Sequence, residues 1–502
     1  MQPDIFLYRI FMSVNESSIA HLYPQPLWRY FAQLSQLPRP SKQEQKVVEW
    51  LKNIASDHDL LFEQDEVGNV LIRKPASAGC ENAPGIILQS HLDMVCQKHP
   101  HIEHDFSLDP ITLILDDEWL HANGTTLGAD NGIGVAAMIS VLTAKDIQHG
   151  PLECLFTIDE EAGLNGAAGL RADWLKGKIL LNLDSEDEGE LYIGCAGGQD
   201  INAALNLKTE TSPQNSVAFQ LSIGGLRGGH SGVDIHRGRG NAIILLAMLL
   251  AELRRDFNIA VADYGGGSVR NAIPRDAQAI LLADIAQQKE IEQRLQKMKE
   301  LMENSWRGAE PNINVSFQLI ENPEQYYSSA QIDGILEVIL TMPNGVIAML
   351  QDMPLVVETS CNLGALSIKK SIKDHQFHLQ ALARSSFEDK KRHVAATVQS
   401  LFESAGCAVE SGGGYPGWVP DANAPLLKKI SSVYQQRFGD VPEVKVIHAG
   451  LECGLLGAKY PDWQMISFGP TIRYPHSPEE KVHVQSVEKF WLLLQDSLKA
   501  LV

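Results

Sequence analysis

Apolar and polar positions along this chain keep one rhythm to about residue 200, a second to about residue 395, and then return to the first. Ser41-Lys42-Gln43-Glu44 has the spacing of a capping box, and Val47, Val48, Leu51, Ile54 and Ala55 behind it fall on one face of a helix. Val67 to Ile72 reads as a turn into a strand. Gly85 to Val95 then reads as a buried strand whose C-terminal end carries the polar pair His91 and Asp93. Open α/β sheets place their ligands at such ends. After a hairpin around Asp116 and Asp117, the glycine-rich loop Gly124 to Gly134, with Asp130 in it, leads into an apolar helix from Val135 to Leu142. Two more apolar runs, Leu152 to Ile158 and Ile179 to Leu183, end in Asp159-Glu160-Glu161 and Asp184-Ser185-Glu186.

Beyond residue 200, strand-like stretches (Val217 to Ile223, Ile259 to Tyr264, Ala277 to Ile285, Ile313 to Ile320, Gln376 to Ala383) alternate with helices at Asn241 to Arg255, Glu290 to Trp306 and Ser329 to Thr341. The expected architecture is α/β: a discontinuous catalytic domain with a mixed sheet flanked by helices, interrupted by an inserted α+β domain. Its segments are 24–200 and 395–502 for the first domain and 201–394 for the insert, a lid and dimerisation domain, with 1–23 as an N-terminal extension. The helix Glu388 to Ala405 is expected to return the chain to the first domain. That domain finishes with the helix Pro425 to Arg437, strands near Val444 to Ile447 and Gln464 to Phe468, and a helix from Gln485.

Composition narrows the function. The 502 residues carry a formal net charge of -20, which repels nucleic acid and anionic membranes on average, so neither is expected as a partner. Seven cysteines, an odd number without Cys-x-x-Cys spacing, fit reduced thiols in a cytoplasmic protein. The longest apolar run, Ile243 to Ala251, falls short of the roughly 20 residues a membrane span needs. Apolar residues around Tyr8 and Arg9 lack a small-residue cleavage site after them, so no signal peptide is read, and Met1 and Met12 both remain candidate starts.

Each polar strand end alone is a weak signal, usually a solvated turn. Four within a hundred residues, delivering His91, Asp130, Glu160 or Glu161, and Asp184, favour a metal site. A phosphate loop at Gly124 to Gly134 is disfavoured, because its Lys-Ser/Thr ending is missing. Far down the chain, Tyr474-Pro475-His476-Ser477-Pro478 offers a second imidazole, with His483 as its rival.

In this order, Ser90-His91-Leu92-Asp93, Gly128-Ala129-Asp130-Asn131-Gly132, Glu160-Glu161, the strand ending in Asp184 and the late His476 resemble the M20 family of metallopeptidases, nearest its aminoacylhistidine dipeptidase branch. His149 to Glu153, Gly194 to Gly198, Gly228 to Gly232, Arg270 to Pro274, Gly414 to Trp418 and His448 to Gly454 add to the likeness. The resemblance implies a homodimeric dipeptidase with two zinc ions per subunit, cobalt or manganese being possible substitutes. Asp130 would bridge the ions, Glu161 and His476 completing one and His91 and Asp184 the other. Asp93 would orient His91, and Glu160 would be the general base for a hydroxide shared by the metals. His230 would meet the scissile carbonyl oxygen, in cis or from the partner subunit, Arg384 the substrate carboxylate, and Glu452 its amino group. The implied substrates are dipeptides, Xaa-His and β-alanyl-His first. Alternatives are an aminotripeptidase, an amidase of acylated amino acids, or a metal-binding interaction protein without catalysis; a two-metal phosphoesterase is weakened by the lack of a basic cluster near the ligands.

Overall fold

The computed structural model describes residue 19 and residues 21–371 and 374–502; the apolar residues at 5–12, and with them the choice of start, lie outside these. The chain forms two compact units. One comprises the residues up to Gly194 with Pro420–Val446 and Leu451–Val502, the other Cys195–Val419 with Ile447–Gly450.

In the first unit an eight-stranded sheet contains β1 (Leu61–Gln64), β2 (Val70–Lys74), β3 (Ile86–His91), β4 (Leu152–Thr157), β5 (Ile179–Asn182), β6 (Glu190–Cys195), β7 (Glu443–Ile447) and β8 (Gln464–Ser467), in the spatial order β1-β2-β4-β3-β5-β8-β6-β7. The centre is parallel: β3 runs with both β4 and β5, and β8 with β5. The flanks are antiparallel at β1–β2, β2–β4 and β8–β6. Every residue of β3, β4 and β5 is buried, which is why these strands read as continuous apolar runs rather than alternations.

Around this sheet lie α1 (Gln25–Leu34), α2 (Gln45–Asp57), α3 (Ala129–Thr143), α4 (Pro425–Phe438), α5 (Glu452–Lys459) and α6 (Val484–Ala500). α3 is buried on all sides from Ala129 to Leu142, in keeping with its apolar run from Val135, and it starts six residues earlier than that run, inside the expected glycine-rich loop. The expected capping box before α2 is not formed. Ser41 donates to Asp93 Oδ2 at 2.7 Å, and Glu44 Oε1 accepts from the amides of Lys42 and Asp159, because both side chains find partners in the site instead of on the helix end. A separate four-stranded sheet joins Leu113–Asp116, Trp119–Ala122, Lys481–His483 and Ile472–Arg473, and the loop between the last two carries His476.

The second unit is built on a largely antiparallel sheet in which Asn314–Ile320, Ser216–Gly224, Ala277–Asp284, Ala260–Gly267, Val357–Lys370, His375–Ser385, Gly197–Leu207 and Ala408–Tyr415 lie side by side. Its core includes Phe219, Leu246, Leu250, Leu281 and Phe377. The helix Glu388–Ser404 contributes Val394, Ala395, Val398 and Phe402 to that core, and the strand after it pairs with Gly197–Leu207. By packing, therefore, the chain leaves this unit at Val419 rather than near residue 395.

Candidate metal centre and active site

Five side chains come together: His91, Glu161 and Asp184 at or just beyond the ends of the parallel strands β3, β4 and β5, Asp130 at the start of α3, and His476 from the loop of the four-stranded sheet. His91 Nε2 lies 3.1 Å from Asp130 Oδ1 and 3.3 Å from Asp184 Oδ1. His476 Nε2 lies 3.2 Å from Asp130 Oδ2 and 3.1 Å from Glu161 Oε1. Asp130 therefore turns one carboxylate oxygen to each imidazole.

Local backbone explains the aim of each ligand candidate. Gly128 enters α3 with φ 71°, and a Cβ there would collide with the Arg39 guanidinium and the Met94 sulfur. Asp130 and Asn131 have non-helical backbone angles, so Asp130 sits on a bend and not on regular helix. Glu480 receives the amides of Leu127, Gly128, Ala129 and Asp130 in its carboxylate. Arg39 donates to the carbonyls of Leu92, Asp93 and Gly128, tying the His91 strand end to the Asp130 loop.

Glu160 and Glu161 lie beyond β4, after Asp159 at φ 52°. Asp93 takes both their amides, Glu160 N on Oδ1 at 3.0 Å and Glu161 N on Oδ2 at 3.1 Å, and lies 3.4 Å from His91 Nδ1. One buried carboxylate thus orients an imidazole and shapes the acidic turn. His483 is elsewhere: it caps α6, accepting from Ser486 N at 3.3 Å, with its ring edge against Trp119.

Electrostatics reveal a shortage of positive charge. Burial works against a charged His91, yet Asp184, Asp130 and Asp93 hold its pKa well above the usual histidine value. Hydrogen bonds to Asp130 and Glu161 raise His476 to about 11. Burial pushes Glu160, Glu161 and Asp184 upward, helped by neighbouring carboxylates. Asp93 goes the other way: burial opposes, but His91, the Ser41 hydroxyl and the Glu160 amide bring it to about 2. A divalent cation supplies what such a nest lacks.

The donor set fits a metal. Each Nε2 faces two carboxylate oxygens, and one N–H cannot serve both. Tetrahedral bonds of ~2.1 Å place ligand atoms about 3.4 Å apart, close to these spacings. Glu161 Oε1 is buried without a well-directed hydrogen bond. Among the described residues His91, Asp130 and Asp184 form one candidate group, and Asp130, Glu161 and His476 another.

The remaining expected residues fall in two places. In the second unit, Arg384 is 3% exposed and donates to Tyr415 Oη at 2.8 Å and Ser231 Oγ at 3.3 Å; its Nη2 lies 3.5 Å from His230 Nε2. His230 Nδ1 accepts from the amides of Gly232 and Val233, which puts the proton of the neutral ring on Nε2. Burial and then the Arg384 charge lower its pKa to about 4. In the first unit Glu452 is fully buried, with Oε2 accepting from Gln89 Nε2 at 2.6 Å and Thr157 Oγ1 at 2.7 Å.

Residues 87–499 match the peptidase family M20/M25/M40. The chain belongs to this peptidase family. It is 42% identical over 483 residues to the cytosol non-specific dipeptidase of Escherichia coli strain K12, covering 96% of this chain and 99% of that protein. The solved structure of an aminoacylhistidine dipeptidase from Vibrio alginolyticus superposes with TM-score 0.89 at 41% identity, over 97% of this chain and 99% of that one. The aminopeptidase PepT of Bacillus cereus shares the fold at 18% identity, with TM-score 0.61 over 96% and 99% of the two chains. As an M20/M25/M40 peptidase the protein is a hydrolase, and no helix among its described residues is long and apolar enough to cross a membrane.

Sequence reasoning about this M20 peptidase missed Arg39, Ser41 and Glu480, whose partners lie far away in the chain. It also missed Gln89, Thr157 and Asn182. These left a trace, since each is a polar residue inside an apolar strand two positions before an acidic or imidazole residue.

Proposed function

We propose that this M20 peptidase is a cytoplasmic, homodimeric dinuclear zinc dipeptidase that hydrolyses Xaa-His dipeptides, β-alanyl-His among them. The observation that carries the reading is the Asp130 carboxylate facing His91 with one oxygen and His476 with the other. Likeness to a non-specific dipeptidase and to an aminoacylhistidine dipeptidase supports the substrate class. His91 and Asp184 would hold one ion, Glu161 and His476 the other, with Asp130 shared between them; cobalt or manganese would suit the same nitrogen and oxygen donors.

When bound, the ions polarise the scissile carbonyl and lower the pKa of the attacking water. Glu160, beside the ligands and not needed as one, takes the proton of that water and passes it to the leaving amine. Asp93 keeps His91 oriented and holds the acidic turn in place through the two amides. His230, neutral with its proton on Nε2, donates to the oxygen on which negative charge develops. Arg384 offers a guanidinium already steadied by Tyr415 and Ser231 to the substrate carboxylate. Glu452, expected at the amino group, is fully buried and held from two sides, and another role suits it better.

The test is turnover after chelation and addition of zinc or manganese, with Xaa-His and other dipeptides, tripeptides and N-acyl amino acids side by side. Cleavage of tripeptides or acylated amino acids in preference to dipeptides overturns the assignment.

A further inference from the structure

Beneath the ligand candidates, a row of fully buried polar side chains crosses four neighbouring strands. Ser467 on β8 donates to Asn182 Oδ1, Asn182 Nδ2 on β5 donates to Gln89 Oε1 at 2.6 Å, and Gln89 Nε2 on β3 donates to Glu452 Oε2 at 2.6 Å. Thr157 at the end of β4 donates to the same oxygen at 2.7 Å. Each of these residues is 0% exposed. Every link donates in the same direction, toward Glu452. Ser185 Oγ, 2.6 Å from Ser467 Oγ, and the Asp184 amide, 3.3 Å from Asn182 Oδ1, attach the following loop to the row.

We infer that this row is a positioning device for the ion site of His91 and Asp184, an inference that rests on the metal roles proposed above. Side chains two residues apart on a strand point to the same face, so Gln89 stands directly below His91, and Asn182 below the position from which Asp184 departs. Gln89 and Asn182 are register partners across the parallel pair β3–β5, as Asn182 and Ser467 are across β5–β8. Their side-chain hydrogen bond fixes the lateral offset of these two strands one layer under the ligands, where the backbone ladder alone leaves side chains free to rotate. The strands are otherwise apolar, and apolar side chains at these positions would pack the sheet without desolvating two amides and a carboxylate. Polar specificity at this one level therefore serves orientation. Glu452 terminates the row as its acceptor: one oxygen takes both donors, and it ties the start of α5 to β3 and β4.

The test measures zinc binding to metal-stripped protein by chelator competition, beside thermal unfolding. Gln89→Met and Asn182→Leu conserve volume and remove the link. Each is expected to weaken one of the two zinc ions at least tenfold while the other keeps its wild-type affinity. Glu452→Gln keeps an acceptor oxygen for both donors and should bind like wild type, whereas Glu452→Leu should behave like Gln89→Met. If either strand variant fails to fold, the Glu452 pair, located off the sheet, decides the question. Wild-type affinity for both ions in Gln89→Met and Asn182→Leu, or an equal loss at both sites with a lower unfolding midpoint, reduces the row to ordinary packing and overturns the inference. Asp184→Asn is the control: if it binds zinc as the wild type does, the ligand assignment is wrong, and the positioning role falls with it for that separate reason.

Discussion

Glu480 holds the backbone on which Asp130 is presented, its Oε1 accepting from the amides of Ala129 at 2.8 Å and Asp130 at 3.3 Å. Its Oε2 takes the two preceding amides, so the carboxylate closes the N-terminal end of α3 as a side-chain cap would. Glu480 stands four residues after His476, which faces the other side of Asp130. Both loops are therefore fixed by one residue. Glu480→Ala leaves buried amides without an acceptor and is expected to cost about 1–3 kcal/mol in stability. Chemical denaturation of the metal-free protein measures this, and an unchanged midpoint contradicts it.

Glu160 and Glu161 share the Asp93 clamp, and the proposed function gives them different tasks. Glu160→Gln should retain both metals and lose turnover by ~100-fold to 10,000-fold, the usual range for a general base. Glu161→Gln should in addition lose a metal. Metal analysis of the purified variants checks this, and depletion in Glu160→Gln alone would reverse the two roles.

His476 and His483 separate in the same way. His476→Ala should lower bound metal and activity. His483→Ala removes the α6 cap and should cost about 1 kcal/mol of stability with metal content intact. Equal metal content in wild type and His476→Ala would take His476 out of the site.

His448 offers a pH test outside the ligand set. It is 6% exposed, its Nε2 lies 2.7 Å from Ser360 Oγ, and burial, then Arg384, His230 and His236, lower its pKa to about 3. Between that value and the ordinary 6.5, the unfolded chain binds a proton that the folded chain does not, so stability falls as pH drops through this window. His230, at about 4, contributes in the same direction. Unfolding midpoints followed from pH 7 downward should fall less steeply in His448→Gln than in wild type; parallel curves would refute the assignment.

In the homodimeric reading, His230 acts on the partner subunit's site. A His230→Ala subunit paired with a Glu160→Gln subunit then contains one complete site, and random pairing restores about one quarter of wild-type activity. Heterodimers isolated through two affinity tags, each with one complete site of two, should show about one half. Heterodimers as inactive as either parent place His230 in its own chain's site or in none.

What the sequence determined by itself was local and periodic. The buried strands Ile86–His91, Leu152–Thr157 and Ile179–Asn182 were legible, and so was the Val135–Leu142 part of the helix Ala129–Thr143, because parallel central strands and fully buried helices need apolar runs; the first turn of that helix, from Ala129, reads as loop. His91, Asp130, Glu161, Asp184 and His476 stood out only as a set: each alone reads as an ordinary turn residue, and it was their clustering and their order, which matches a family, that marked them. Val357–Lys370 and Gly197–Leu207 were not legible: small and polar residues interrupt both, and their strand state comes from neighbours on either side in the sheet. The capping box misled because Ser41 and Glu44 have the right spacing for a helix end but better partners in Asp93 and the Asp159 amide. Only tertiary structure decided that Glu480, Arg39 and the Gln89–Asn182 row hydrogen-bond the segments that carry the ligand candidates. A hydrogen bond between residues some ninety to three hundred and fifty positions apart leaves no periodic signal, since its strength depends on a distance and an angle that the folded chain alone defines.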